Sequence, residues 1–149
     1  MQENMLERRY EKLKDEINSK EPFYRAMNLS SEDKEIFVFL IWFIKEILNH
    51  PPKKIHSRVL FEFELNLDYG NPRAVIHNGA KMTIRAHKAS GSTQVKSFEQ
   101  PKPSEYYEGL LISFVAYYGL SYRKSKYAPK KSGHDVLIEI IFGDPNAVV

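Results

Sequence analysis

The stretch Arg58–Gly70 reads RVLFEFELNLDYG, and it constrains the chain more than any other. Phe61, Phe63, Leu65, Leu67 and Tyr69 alternate with Glu62, Glu64, Asn66 and Asp68. Side chains of a strand point to opposite faces at every step, so this pattern predicts one greasy and one polar face. A parallel strand is covered on both sides and reads as a continuous apolar run. The alternation therefore predicts an antiparallel sheet with helices on one face only.

The other elements fit that frame. AKMTIRAHK repeats the alternation, with Met82, Ile84 and Ala86 predicted inward and Lys81, Thr83, Arg85 and His87 outward. A hairpin would set Glu62 and Glu64 beside Lys81 and Arg85, where opposite charges attract across strands. HDVLIEIIFGDP predicts a short apolar strand inside the sheet. Gln94–Phe98 is read as a short edge strand within a polar loop. Gly70–Gly79, GNPRAVIHNG, is a long turn region.

Three helices are predicted. In Gln2–Ser19, Leu6, Tyr10, Leu13 and Ile17 recur on one face, giving a peripheral amphipathic helix within residues 1–20. A second runs from LSSEDKE to about Asn49, capped by Ser30 or Ser31, with Glu32, Asp33 and Glu35 at its positive end. Its nine-residue run Ile36–Ile44 is apolar all round, which predicts a central helix with Trp42 in the core. Pro51 and Pro52 stop it. Ser104 is expected to cap the third, in which Tyr107, Leu111, Phe114 and Tyr118 keep helical spacing up to Gly119. The order α-α-β-β-α-β is an α+β architecture, and 149 residues fit a single domain spanning 1–149.

Several chemistries lack their residues or spacings. There are no cysteines, so disulfides, thiolate metal sites and a Cys nucleophile are excluded. The five histidines, His50, His56, His77, His87 and His134, form no ligand-spaced pair, so no metal is expected. No phosphate-cradling glycine motif appears, and no cofactor is expected. A charged N-terminus and the absence of a run of ~20 apolar residues predict a soluble, cytoplasmic protein.

Charge suggests a ligand. Residues 1–50 carry eight Lys/Arg against ten Asp/Glu, whereas 51–149 carry fourteen against nine. SYRKSKYAPKKSGHD, from Ser121 to Asp135, holds five cations and no acid before its last residue. The leading expectation is a nucleic-acid-binding, non-catalytic protein using this stretch as a basic loop. Arg123, Lys124, Lys126, Lys130 and Lys131 would contact phosphates, and Tyr122 and Tyr127 would stack on bases. Lys53, Lys54 and Arg58, with Arg85 and Lys88, would extend the stripe if the three groups converge. An acidic protein surface is the other ligand that such charge suits.

The second expectation is a protein-interaction module, such as an inhibitor, an immunity-type protein or a viral assembly component. Its interface would be Leu6, Tyr10, Leu13 and Ile17, which would also serve a homodimer. The third is a small metal-independent ribonuclease using His87, with Arg85 and Lys88, or His134, with Tyr127 and Lys131. Glu62 and Glu64 share a strand face and could do acid–base work, though an exposed face balanced by Lys and Arg is the simpler account of them.

Overall fold

The computed structural model describes residues 2–66, 80–125, 129–130 and 133–148. Its helices are α1 (Gln2–Ser19), the four-residue α2 (Phe23–Ala26), α3 (Ser31–Asn49) and α4 (Ser104–Tyr118). Its strands are β1 (Arg58–Asn66), β2 (Lys81–His87), β3 (Thr93–Glu99), β4 (Ser121–Ser125), the two-residue β5 (Pro129–Lys130) and β6 (Gly133–Phe142). A 3₁₀ turn, Pro145–Ala147, follows. The sheet is antiparallel, in the order β3–β2–β1–β6–β4, with β5 paired to β6. The predicted α+β class is the observed one. Among the described residues no helix is long and apolar enough to cross a membrane.

β1 shows why one face is buried. Phe61, Phe63 and Leu65 are at most 1 % exposed, while Glu62, Glu64 and Asn66 are half-buried on the other side. Leu60 and Phe61 are successive and both buried, which strict alternation forbids. The register shift between Val59 and Phe61 resolves this: a bulge on β1 adds one residue and turns Leu60 inward as well. β6 supplies Val136, Ile138 and Ile140 to the same core from the middle of the sheet.

The helices lie on that apolar face. Phe43 of α3 meets Phe61 at 5.5 Å between ring centroids, and Phe39 meets Phe98 at 6.2 Å. α1 packs across α3 and α4; its Tyr10 hydroxyl donates to the Ile47 carbonyl at 3.1 Å, and its ring edge meets Phe142. Ser30 caps α3 as expected, accepting from the Asp33 amide at 3.3 Å. α4 stops at Gly119, whose φ of 70° is a left-handed value that glycine adopts without steric cost.

Four expectations change. Ser104 does not cap α4: Pro103 occupies the cap position, and Ser104 is the first helical residue, fully buried. Its Oγ has no hydrogen-bond partner among the described residues. The basic stretch does not begin as a loop, because Ser121–Ser125 pair with β6 as strand β4. Residues 19–28, SKEPFYRAMN, which read from the sequence as a connection between the first two helices, contain the short helix α2. Trp42 is not in the core: it is 53 % exposed, and Val38 one turn before it is 42 % exposed. The run Ile36–Ile44 is apolar all round, but the sheet covers only part of its circumference.

Candidate functional site

The described basic residues singled out by the sequence lie at more than one place on the sheet. Register places Arg58 opposite Phe142, Ser121 opposite Ile141 and His87 opposite Thr93, so these residues share one end of the sheet. Asn66 opposite Asp135, Lys81 opposite Glu99 and Ser125 opposite Leu137 mark the other end. Lys53, Lys54 and Arg58 precede or open β1, and Lys88 follows β2, all at the first end. Ser125, the last described residue of β4, is at the second. Eight strand steps at ~3.3 Å put the two ends about 26 Å apart. Lys126, Tyr127 and Lys131 lie outside the described residues, and Lys130 is described only as a member of β5.

Several of these cations already hold carboxylates. Arg123 grips Glu139 with two nitrogens, at 2.8 and 3.1 Å, and its Nη1 also donates to the Pro145 carbonyl at 2.9 Å. Lys124 is 2.9 Å from Glu108 of α4. The Tyr122 hydroxyl donates to the same Glu108 at 3.4 Å. Tyr122 packs on the core, and burial, reinforced by Glu108, pushes its phenol up to about 12. Tyr122 is therefore not an open stacking surface. Arg58 donates to the His87 carbonyl, and burial pulls its pKa down. Lys53, Lys54 and Lys88 are exposed; the first two line a cleft of about 660 Å³ with Lys14 of α1 and the acids Glu7 and Glu11.

The open face of the sheet carries a charge ladder. Arg85 faces Glu62 across β2–β1, Glu62 faces Glu139 across β1–β6, and Glu139 faces Arg123 across β6–β4. Two acids opposite one another repel. Arginines on either side compensate, with Arg85 3.9 Å from Glu62 and 3.4 Å from Glu64. His87 Nε2 lies 2.6 Å from Glu62, and its Nδ1 lies 3.2 Å from the Thr93 hydroxyl. Arg85 thus has two carboxylates, and both His87 nitrogens are engaged. Among the described residues, Glu62, Glu64, Glu99 and Glu139 against Lys81, Arg85 and Arg123 also leave this face with no excess positive charge to draw a phosphate. Among the described residues no group of three or more His, Asp or Glu could hold a metal ion.

This arrangement makes a prediction. Arg123→Gln removes the compensation at Glu139 and should cost about 1–3 kcal/mol at neutral pH. The urea midpoint would report it, and replacing Glu139 with Gln as well should recover part of the loss. An unchanged midpoint for Arg123→Gln would mean that solvent already screens the ladder.

The apolar stripe of α1 is not an open interface either. Tyr10, Leu13 and Ile17 are at most 6 % exposed and belong to the chain's own core, with Leu6 packed beside them. An intramolecular contact has taken the surface that the sequence offered to a partner.

The exposed apolar surface lies elsewhere. Val38, Phe39 and Trp42 of α3, with Gln94, Lys96 and Phe98 of β3, bound a cleft of about 660 Å³. A recess of about 300 Å³ continues on the other side of Trp42, lined by His50, Lys88 and Ser90. β3 ends the sheet: β2 holds one of its edges over seven consecutive pairs without a bulge, and among the described residues no strand pairs with the other. Val95, on the open face, is 60 % exposed. The Lys96 ammonium sits over the Phe39 and Phe98 rings, 5.3 and 5.4 Å from their centroids.

The signal for this surface was present in α3. Glu35, Lys45, Glu46 and Asn49 are exposed, and helical spacing draws their polar face through positions 38 and 42. Two apolar residues on a polar face mark a surface patch. No family model, curated protein or solved structure matches the chain.

Proposed function

We propose that this chain is a non-catalytic protein-interaction module that receives an extended polypeptide segment along the outer edge of β3. The observation that carries this reading is the pairing of a bulge-free seven-residue edge strand with the exposed Val38–Trp42 patch beside it. An edge strand offers a row of backbone donors and acceptors, which an incoming strand satisfies. Affinity then comes from main-chain hydrogen bonds. Specificity comes from every second side chain of the incoming segment, which would rest on Phe98, Val38 and Trp42. Nucleic-acid binding, the leading expectation from the sequence, retains Lys53 and Lys88, but Arg85, Arg123 and Lys124 would have to leave carboxylates to join them.

Trp42 is the only tryptophan, so its emission reports on this cleft alone. A library of dye-labelled heptapeptides with alternating apolar positions should yield binders by anisotropy. Their saturation should shift Trp42 emission to the blue. Val38→Asp, at an exposed position, should weaken them about tenfold or more. A library without binders, or binders indifferent to Val38→Asp, would overturn the proposal.

A further inference from the structure

We infer that the occupant of the β3 edge is a second copy of this chain, which pairs with the first through its own β3 in antiparallel register centred on Val95. The inference rests on the strand-addition reading above and names its partner.

The sequence of β3, TQVKSFE, is compatible with itself in this register. With the two-fold axis through Val95, Val95 faces Val95, Gln94 faces Lys96, and Thr93 faces Ser97. No like charges meet. The Val95 pair removes from water the most exposed large apolar side chain among the described residues. A register centred on Lys96 would oppose two ammonium groups, a destabilising arrangement. Centring on Val95 also runs the Phe98 end of each β3 towards the Trp42 end of the other copy's cleft. The helices of both copies stay on the same side of one continuous sheet, and each α3 flanks the new seam.

The edge carries few of the usual deterrents. β3 contains no proline and its ladder to β2 has no bulge. Its one lysine, the residue that commonly guards an edge, has its ammonium over Phe39 and Phe98 on the helix side. The other end of the sheet is different. β4 has five residues, and Arg123 ties it to the carbonyls of Pro145 and Val148, so the C-terminal segment runs beside it. One receptive edge among the described residues, used identically by both copies, gives a closed two-fold pair and no open filament.

Analytical ultracentrifugation from about 1 to about 200 μM tests this, with Trp42 emission followed over the same range. The expected mass at high concentration is twice the 17.4 kDa of the chain, with Trp42 emission moving to the red on dilution. Val95→Lys opposes two ammonium groups and should weaken the dimer about tenfold or more at low salt. Val95→Asp should do the same. An equimolar mixture of the two variants should dimerise again, because each lysine then faces an aspartate; this rescue also shows that both variants are folded. A chain that stays monomeric throughout overturns the inference, as does a dimer indifferent to Val95→Lys. A monomer that still binds library peptides in a Val38-dependent way removes only the second copy and leaves strand addition standing.

Discussion

Phe23→Ala is expected to cost about 3–5 kcal/mol of folding stability, the range for emptying a large aromatic site in a packed core. Phe23 belongs to a helix of only four residues, far too short to be stable alone. Its ring is what seats that helix: it is 0 % exposed and lies 4.9 Å from Phe37 of α3 and 5.4 Å from Phe114 of α4, between centroids. The Phe23 amide also donates to the Tyr118 hydroxyl at 3.0 Å. One side chain therefore joins α2, α3 and α4, and little else is available to fill its volume. At ~2–4 °C per kcal/mol for a chain of this size, the melting temperature should fall by about 6–20 °C. Denaturant midpoints at unchanged m-value would measure the loss. A cost below about 1 kcal/mol would mean that α2 is not seated in this core.

The second large effect is alkaline. Burial pushes the Tyr118 phenol up to about 12, against an ordinary value of 10.0, although the Phe23 amide that donates to it pulls the other way. In the unfolded chain this phenol ionises near 10, whereas in the folded protein it keeps its proton until about 12. Below pH 10 both states are protonated and its contribution is complete. As pH rises from 10 to 12, the unfolded state gains by ionising first, and the contribution is lost. Two pH units correspond to about 2–3 kcal/mol from Tyr118 alone. Tyr122, also pushed up to about 12, adds a smaller share because it is partly exposed. Burial raises Tyr10 too.

Stability measured by urea at successive pH values should thus fall steeply between pH 10 and 12. Tyr118→Phe should flatten that fall. It should also cost about 1–3 kcal/mol at neutral pH, since the buried Phe23 amide loses its acceptor. A variant that falls with pH as steeply as the parent would show that Tyr118 ionises without unfolding the chain.

Legibility differed by residue for physical reasons. The faces of β1 and β2 were readable because period two is a property of the local backbone, and Phe61, Phe63, Ile84 and Ala86 are inward as their spacing predicts. Arg85 beside Glu62 and Glu64 was readable from the hairpin for the same reason. Glu139, which completes the ladder, was not: it reaches Glu62 across 77 residues of sequence. Ser121–Ser125 read as loop because five polar or aromatic residues carry no strand period, and they are a strand because β6 offered them an edge.

What the sequence by itself determined is the layout: one apolar sheet face, helices to cover it, and which residues of β1 and β2 alternate towards them. Those features depend on side chains a few positions apart, and local geometry dictates them. What only the tertiary structure decided is which surface remained. The stripe of α1 looked like an interface and was taken by α3, while Trp42 looked like core and stayed in solvent. The cations of the basic stretch looked available until register set Arg123 beside Glu139 and Lys124 beside Glu108. Burial and ion pairing depend on what the rest of the chain brings to a residue, and short-range spacing carries no record of it.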